Sequence, residues 1–415
     1  MEKRGGALID IDKELLAVSM KLYFDPQIEL EKVVASRPSF GQHAAGYDPK
    51  LARQKLLKND SFNNDHLVRY AARPFDTRWA YYSAVNPLWN RSRPALWEQF
   101  KSGNRFLISR VRSTSGAEGH PIGFTKCLLD DHYAMPDAVG IPFVIKSSLT
   151  SDLLQTDTKL EVANLSDAVC KYFKSLSVGD TDPATAELIW MHALAIGYSP
   201  AYLSDNADGI RENWPRIPLP ASRDALLASA ALGREVAALL DTEVPVPGVT
   251  SGTLRPELKT IAVVSRVGGG ALKVDEFALT AGWGSGGSGK PVMPGVGRVE
   301  LNSGSPHPNP LPGGEGINPE GARAGKSLDV YLNATAYWQN VPQAVWDFTI
   351  GGYQVMKKWL SYREQRVLGR ALTMAEIMEV TAMARRLAAL VLLQAVLDAN
   401  YKAVTAATWS FGRMD

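Results

Sequence analysis

YAARPFDTRWAYY, residues 70–82, is the stretch on which the reading of this chain turns. Pro74 fixes φ near about −65° and removes a backbone donor, so the stretch cannot lie inside a helix. Tyr70, Phe75, Trp79, Tyr81 and Tyr82 favour extended backbone, and the segment reads as strand. Arg73, Asp76 and Arg78 are woven between Phe75 and Trp79. Two arrangements fit that triplet. Asp76 clamps Arg73 or Arg78 and orders a sheet edge, or an unclamped Arg78 faces an anionic partner such as a DNA phosphate. Phe75 and Trp79 are expected on one face of the extended segment.

Working outward, residues 12–24 and 48–58 carry helical periodicity, the second with Asp48 as cap and Pro49 in the first turn. NRFLISRV, PIGFTKCLL and GIPFVIK continue the strand-like character to about residue 146. DPATAELIWMHALAIGY, capped by Asp182 with Pro183 at its first position, and ASRDALLASAALGREVAALLD are helical. KTIAVVSRV and ALKVDEFAL return to short strands. Gly, Pro and Ser dominate residues 280–326, a composition too poor in apolar residues to bury a core. A strand pair (LDVYLNATAYW, VWDFTIGG), a helix over Gln354–Tyr362 and a long amphipathic helix over 373–402 close the chain. The expected architecture is α+β. It divides into a helical linker (1–66), a β-rich region (67–150), a helical subdomain (151–245), short strands (246–282), a disordered Gly/Pro insertion (283–326), and a strand pair with C-terminal helices (327–415).

The chain has 415 residues, with 45% apolar, 21% charged, and two cysteines, Cys127 and Cys170. This is globular composition with room for two or three domains and no disulfide framework, which points to a reducing cytoplasm. MEKRGGALIDIDKELL lacks the apolar core of a secretion signal, and the apolar run 387–397 is short for a bilayer and interrupted by Gln394. No membrane partner is expected. Net charge is only +2, but cations cluster: residues 69–126 hold ten Lys/Arg against Asp76, Glu98 and Glu118, and residues 351–370 hold five against Glu364. Clusters of this kind suit a phosphate backbone, and they also occur as solvated faces.

No complete catalytic constellation is present. GSGGSGKP (284–291) imitates a P-loop, but Pro291 replaces the magnesium-binding hydroxyl and no helix follows. Asn86-Pro87-Leu88-Trp89 approaches the Asn-Pro-Pro-aromatic turn with which adenine methyltransferases receive a flipped base, yet Leu88 stands for the second proline and no Gly-rich cofactor turn precedes it. His120 and His132, with Asp130 and Asp131, lack metal-ligand spacing and read as surface or capping residues. No catalytic, cofactor or metal residue is assigned.

Three stretches carry a resemblance: RPFDTRWAYY, NWPRIPLP (213–220) and VPQAVWDFTIGGYQVMKKWLSYR (341–363). In this order and spacing the chain resembles the C-terminal specificity region of type ISP restriction–modification enzymes and related large adenine methyltransferases, from about residue 5 to the final helix. Those enzymes join nuclease, motor, adenine-N6 methyltransferase and target-recognition domain in one polypeptide. The resemblance implies a sequence-specific module for double-stranded DNA. S-adenosylmethionine, ATP and magnesium would belong to the other domains, and a separate methyltransferase/motor chain is a possible partner. This chain starts where the family would be leaving its methyltransferase domain, so it reads as a fragment, a split subunit or a gene remnant. SPHPNPLPGGEG (305–316) looks like translated intergenic repeat DNA, and EQRVLGRAL after Arg363 departs from the family's Lys/Gly turn.

Under this reading Arg91, Arg93, Lys101, Lys357 and Arg363 are the phosphate contacts, with Arg78 and Lys358 as further candidates. Base reading falls to 110–119, where Arg110 and Arg112 alternate to one face of a strand and Ser113 and Ser115 sit in a loop able to enter a groove. Gly351-Gly352 is expected to make a strand-to-helix turn whose following amides, of Tyr353 and Gln354, could receive a phosphate. Tyr353, Trp359 and Leu360 read as core. Two alternatives remain beside it: a degenerate methyltransferase using Asn86, and a protein–protein docking subunit.

Overall fold

The computed structural model describes residues 6–43, 47–89, 92–100, 103–112, 119–135, 137–148, 159–179, 182–285, 292–302 and 326–410. The Asp12 and Asp48 carboxylates accept from the backbone of Leu15 and Leu51, starting the helices Lys13–Phe24 and Pro49–Asn59 as their sequences predict. The first packs on a hairpin of Leu67–Arg73 and Asp76–Tyr81, and the second packs on the first. Ile9–Asp10 pairs outside Asp76–Tyr81, and Leu128–Leu129 runs parallel beside Leu67–Arg73. Leu16, Met20, Tyr23, Phe40, Tyr81, Trp89 and Trp97 fill the core between.

Pro74 and Phe75 form the two-residue turn of that hairpin, with Arg73 opposite Asp76. Phe75 has φ of 61°, which swings its ring into a second, larger core with Ile122 and Phe124. Trp79 stays in the strand at the margin of the N-terminal core. The two aromatics therefore do not share a face, because Phe75 is a turn residue and not a strand residue.

The larger core is built on the helices Pro183–Gly197, Arg223–Leu240 and Met374–Ala406. Thr373 and Glu376 make a reciprocal capping box at the start of the last helix. Buried Arg386 donates to the carbonyls of Ala238, Asp241 and Val244, tying off the C-terminal end of Arg223–Leu240. At 33 residues, Met374–Ala406 is long and apolar enough by length and composition to cross a membrane, unlike the shorter run considered in the sequence; 61% of its most apolar window is buried inside the protein. An antiparallel sheet ordered Val263–Arg266, Ala336–Pro342, Ser327–Tyr331, Val299–Leu301 lies alongside. Its Trp338 is fully buried and donates to the Ile377 carbonyl.

The insertion expected over 283–326 is shorter than its composition suggested. Trp283 is fully buried and donates through Nε1 to the Tyr331 carbonyl. Gly284–Ser285 pairs with Met293–Pro294, and Val299–Leu301 adds a strand to the sheet. The Gly-rich composition hid these strands because their support is backbone pairing and one tryptophan, not an apolar run. Residues 286–291 and 303–325 lie outside the described residues.

The chain after Pro342 also departs from the expected strand. Gln343–Trp346 is a short helix, Thr349–Ile350 pairs with Tyr353–Gln354, and the next helix spans Val355–Arg363. Gly351 and Gly352, with φ of 54° and 83°, make a hairpin turn and not a strand-to-helix turn. Within NWPRIPLP, side-chain donors hold the extended backbone: Tyr202 on the Arg216 carbonyl, His192 on that of Pro218, Tyr172 on that of Pro220.

Candidate nucleic-acid interface

The hairpin turn delivers Asp76 to a fully buried position. Arg78, two residues on along the same strand face, donates to its carboxylate through Nε at 3.1 Å. Arg363, from the last turn of Val355–Arg363, donates to the other carboxylate oxygen at 2.9 Å. Burial alone would raise the Asp76 pKa, but Arg78 and Arg363 outweigh it and hold the carboxyl well below the usual range. Asp76 thus acts as a clamp, on Arg78 and Arg363 and not on Arg73. Arg73 instead donates to Asp130 at 3.2 Å.

The ring of Tyr362 faces this network. Arg78 lies 4.2 Å from the ring centroid, the Lys358 Nζ 4.6 Å and Arg73 5.9 Å. Lys358 donates to the Val292 carbonyl at 3.0 Å. Burial first, then Arg73 and Arg78, pull its pKa down to about 8, with Asp76 opposing. Tyr353, Trp359 and Leu360 are core as expected.

A second anchor lies at the end of the 110–119 segment. The backbone of His120 donates to Thr349 and accepts from Gly351, each at 2.9 Å, and Met135 donates to Gly351. Gly119 has φ of +63°, and a Cβ there would stand 2.0 Å from the Thr349 carbonyl oxygen, so only glycine fits this approach. The His120 ring stacks on Tyr198 at 4.3 Å and on Phe348 at 4.8 Å. It is a core residue, not a surface or capping one.

Asp130, Asp131 and His132 bring ligand-type atoms within 4.8 Å of one another. Tyr70, Arg73 and the His132 backbone already engage Asp130, and Arg93 and His132 engage Asp131. The two guanidinium groups compensate the carboxylates, so the cluster is a charge network and not an open metal site. Asn86 is exposed, but Trp89 beside it is buried, donating to the Tyr81 carbonyl and packing on Tyr70 and Tyr82. An aromatic committed to the core cannot stack on a flipped base, which removes the support for Asn86 chemistry.

Residues 42–387 match the family described as Type ISP C-terminal specificity domain. The chain belongs to that family. Its fold is similar to three solved structures: a cryoEM DrdV–DNA complex (14% identity, TM-score 0.53, covering 95% of this chain and 34% of that one), the ATP-dependent Type ISP restriction–modification enzyme LlaBIII bound to DNA (11%, 0.54, 96% and 22%), and a nuclease-deletion mutant of the Type ISP enzyme LlaGI in complex with a DNA substrate mimic (13%, 0.53, 95% and 32%). At these identities the likeness shows the shared α+β fold. This specificity domain spans between 22% and 34% of the length of those chains. No curated protein matches it.

Within the specificity domain the candidate contacts separate by depth. Arg112 is exposed, Lys357 is half-buried, and Arg93 is partly exposed while 3.4 Å from Asp131. Arg110 is buried, so it does not share a face with Arg112: strand Phe106–Ser109 ends at its Ser109–Val139 pair and alternation ends with it. Arg363 is also buried, which takes it off the surface proposed for phosphate contact. Lys358 is buried as well, and Arg78 is only partly exposed. Arg91, Lys101, Ser113 and Ser115 lie outside the described residues. Tyr353 and Gln354 form a hairpin strand, and Gln354 is also the cap residue of the helix Val355–Arg363. Sequence reading named Arg73 only as a partner for Asp76, and it missed Tyr362 and Gly119, whose roles depend on contacts from distant segments.

Proposed function

We propose that this chain is the DNA target-recognition module of a type ISP restriction–modification enzyme, without catalytic residues of its own. The match to the specificity-domain family over residues 42–387 carries the reading. The exposed Arg112 and the partly exposed Arg93 and Lys357, with Arg91 and Lys101, supply phosphate and base contacts to double-stranded DNA. Specificity falls to the 110–119 segment, and His120, which follows it, pairs with Thr349. S-adenosylmethionine, ATP and magnesium act in other domains or in a separate methyltransferase/motor chain. The setting is the cytoplasm, with no membrane partner.

A binding titration of the chain against random and selected duplexes, over several salt concentrations, tests this. Affinity should fall steeply with salt, because each cation that neutralises a phosphate releases counterions. Arg91→Ala or Lys101→Ala should weaken all duplexes alike and flatten the salt slope by about one unit each. Arg112→Ala should cost roughly 1–3 kcal/mol on the selected site and little elsewhere. Affinity indifferent to salt and to all three substitutions would remove the reading.

A further inference from the structure

The cations around Tyr362 exceed the carboxylates available to them. Arg73, Arg78, Lys358 and Arg363 share Asp76 and Asp130, and Asp76 is already divided between Arg78 and Arg363. The nearby Glu364 is turned away, accepting from the backbone of Gly282 and Trp283. Glu379 accepts from the Trp359 indole and also faces Arg363, so the cations left short are Arg73, Arg78 and Lys358. On Lys358 itself, the hairpin presents Arg73, Arg78 and Asp76, its own helix presents Tyr362, the preceding strand presents Tyr353, and the segment after residue 291 presents only the Val292 carbonyl. Arg73 Nε is buried with no hydrogen-bond partner among the described residues. The side chains of Arg73 and Arg78 remain 14% and 17% exposed and Tyr362 is half-buried, while Lys358 lies beneath them at 6%, so solvent reaches the cluster past the ring and the two guanidinium groups.

We infer that Arg73, Arg78 and Lys358, converging on Tyr362, form a seat for one backbone phosphodiester of DNA, and that seating it holds a proton on the Lys358 amine. The inference deepens the recognition reading and rests on it. A phosphodiester carries one full negative charge at neutral pH and only acceptor oxygens, which is what a site of donors with surplus positive charge lacks. In the unoccupied protein, burial and the two guanidinium groups bring the Lys358 pKa down to about 8. A phosphate oxygen beside the amine reverses that bias and raises it, so binding takes up a proton above neutral pH.

The test compares duplex affinity of the chain at pH 7 and pH 9, with Lys358→Arg and Lys358→Met as variants and melting curves as the folding control. Wild type should bind roughly tenfold more weakly at pH 9, the ratio that follows from an amine titrating near 8 when free and well above 9 when bound. Lys358→Arg should keep the pH 7 affinity and lose most of that difference, since guanidinium stays charged throughout. Lys358→Met should weaken binding at pH 7 and flatten the salt slope by about one unit. Should either variant fail to fold, the Lys358 titration followed by NMR in wild type decides, moving upward when duplex is added. If wild type binds duplex and neither its pH profile nor its salt slope depends on Lys358, the seat is wrong and the recognition reading stands. If wild type binds no duplex even at low salt, both fall. If inorganic phosphate at equal ionic strength moves the Lys358 titration as far as duplex does, the seat belongs to the free ion and the backbone assignment is overturned.

Discussion

Arg363 donates to Asp76 at 2.9 Å across 287 positions of sequence, with neither side chain more than 1% exposed. The contact pins the N-terminal hairpin to the helix that ends the IGGYQVMKKWLSYR stretch, and Arg78 completes it. A buried carboxylate between two guanidinium groups is favourable only as a set, since each charge left alone has lost its water.

Asp76→Ala should therefore destabilise the chain by about 3–5 kcal/mol, the range for removing one partner of a buried charge pair. Arg363→Met should cost less, because Asp76 retains Arg78. Urea unfolding of both variants checks the order. A loss for Asp76→Ala no larger than that for Lys357→Ala would show that the network contributes little.

Two buried histidines make stability fall in acid. His192 Nε2 must carry its proton to donate to the Pro218 carbonyl, leaving Nδ1 to accept from Ser229, and His120 Nδ1 donates to the Gly197 carbonyl. Burial lowers both pKa values to about 4 against the carbonyl contacts that oppose it. Between pH 6.5 and 4 the unfolded chain binds more protons than the folded one, so stability is lost as pH falls through that window. Urea midpoints measured from pH 7.5 to 4.5 should decline, and His120→Gln should decline less steeply from its own lower starting value.

Gly119→Ala should be strongly destabilising for a single methyl, because the new Cβ meets the Thr349 carbonyl and the backbone sits at positive φ. The expected signature is a lower melting temperature together with faster proteolysis near residue 119. An unchanged melting temperature would mean that the His120–Thr349 pairing does not constrain this region.

The purified chain should transfer no labelled methyl group to DNA. Asn86→Ala should leave both melting temperature and duplex affinity unchanged, since Asn86 is exposed and no described hydrogen bond uses its side chain. Trp89→Ala should cost about 3–5 kcal/mol, the range for deleting a buried large aromatic. Methyl transfer abolished by Asn86→Ala would restore the methyltransferase reading.

Much of the local structure was legible in the residues alone. Asp12, Asp48 and Asp182 mark helix starts because a side-chain oxygen satisfies amides within three residues, a relationship written in adjacent sequence. The α+β class followed from period, and membership of the specificity-domain family was visible in three spaced stretches. Trp283 and the strands near Met293 and Val299 were not legible, because glycine-rich sequence declares flexibility and gives no sign of a distant partner. The turn at Pro74-Phe75 reads as strand in the sequence for a related reason: an aromatic at positive φ is costly locally and stands only because the larger core holds its ring.

The candidate site divides along the same line. By itself the sequence determined where the cations are and that Asp76 lies among them. Only the tertiary structure decided which cations are spent on the fold. Arg363 and Arg110 are inside, Arg112 is outside, and Arg73, Arg78 and Lys358 meet at Tyr362. Charge is a property of a residue, but its availability depends on burial and on the nearest carboxylate, and here that carboxylate can lie 287 positions away.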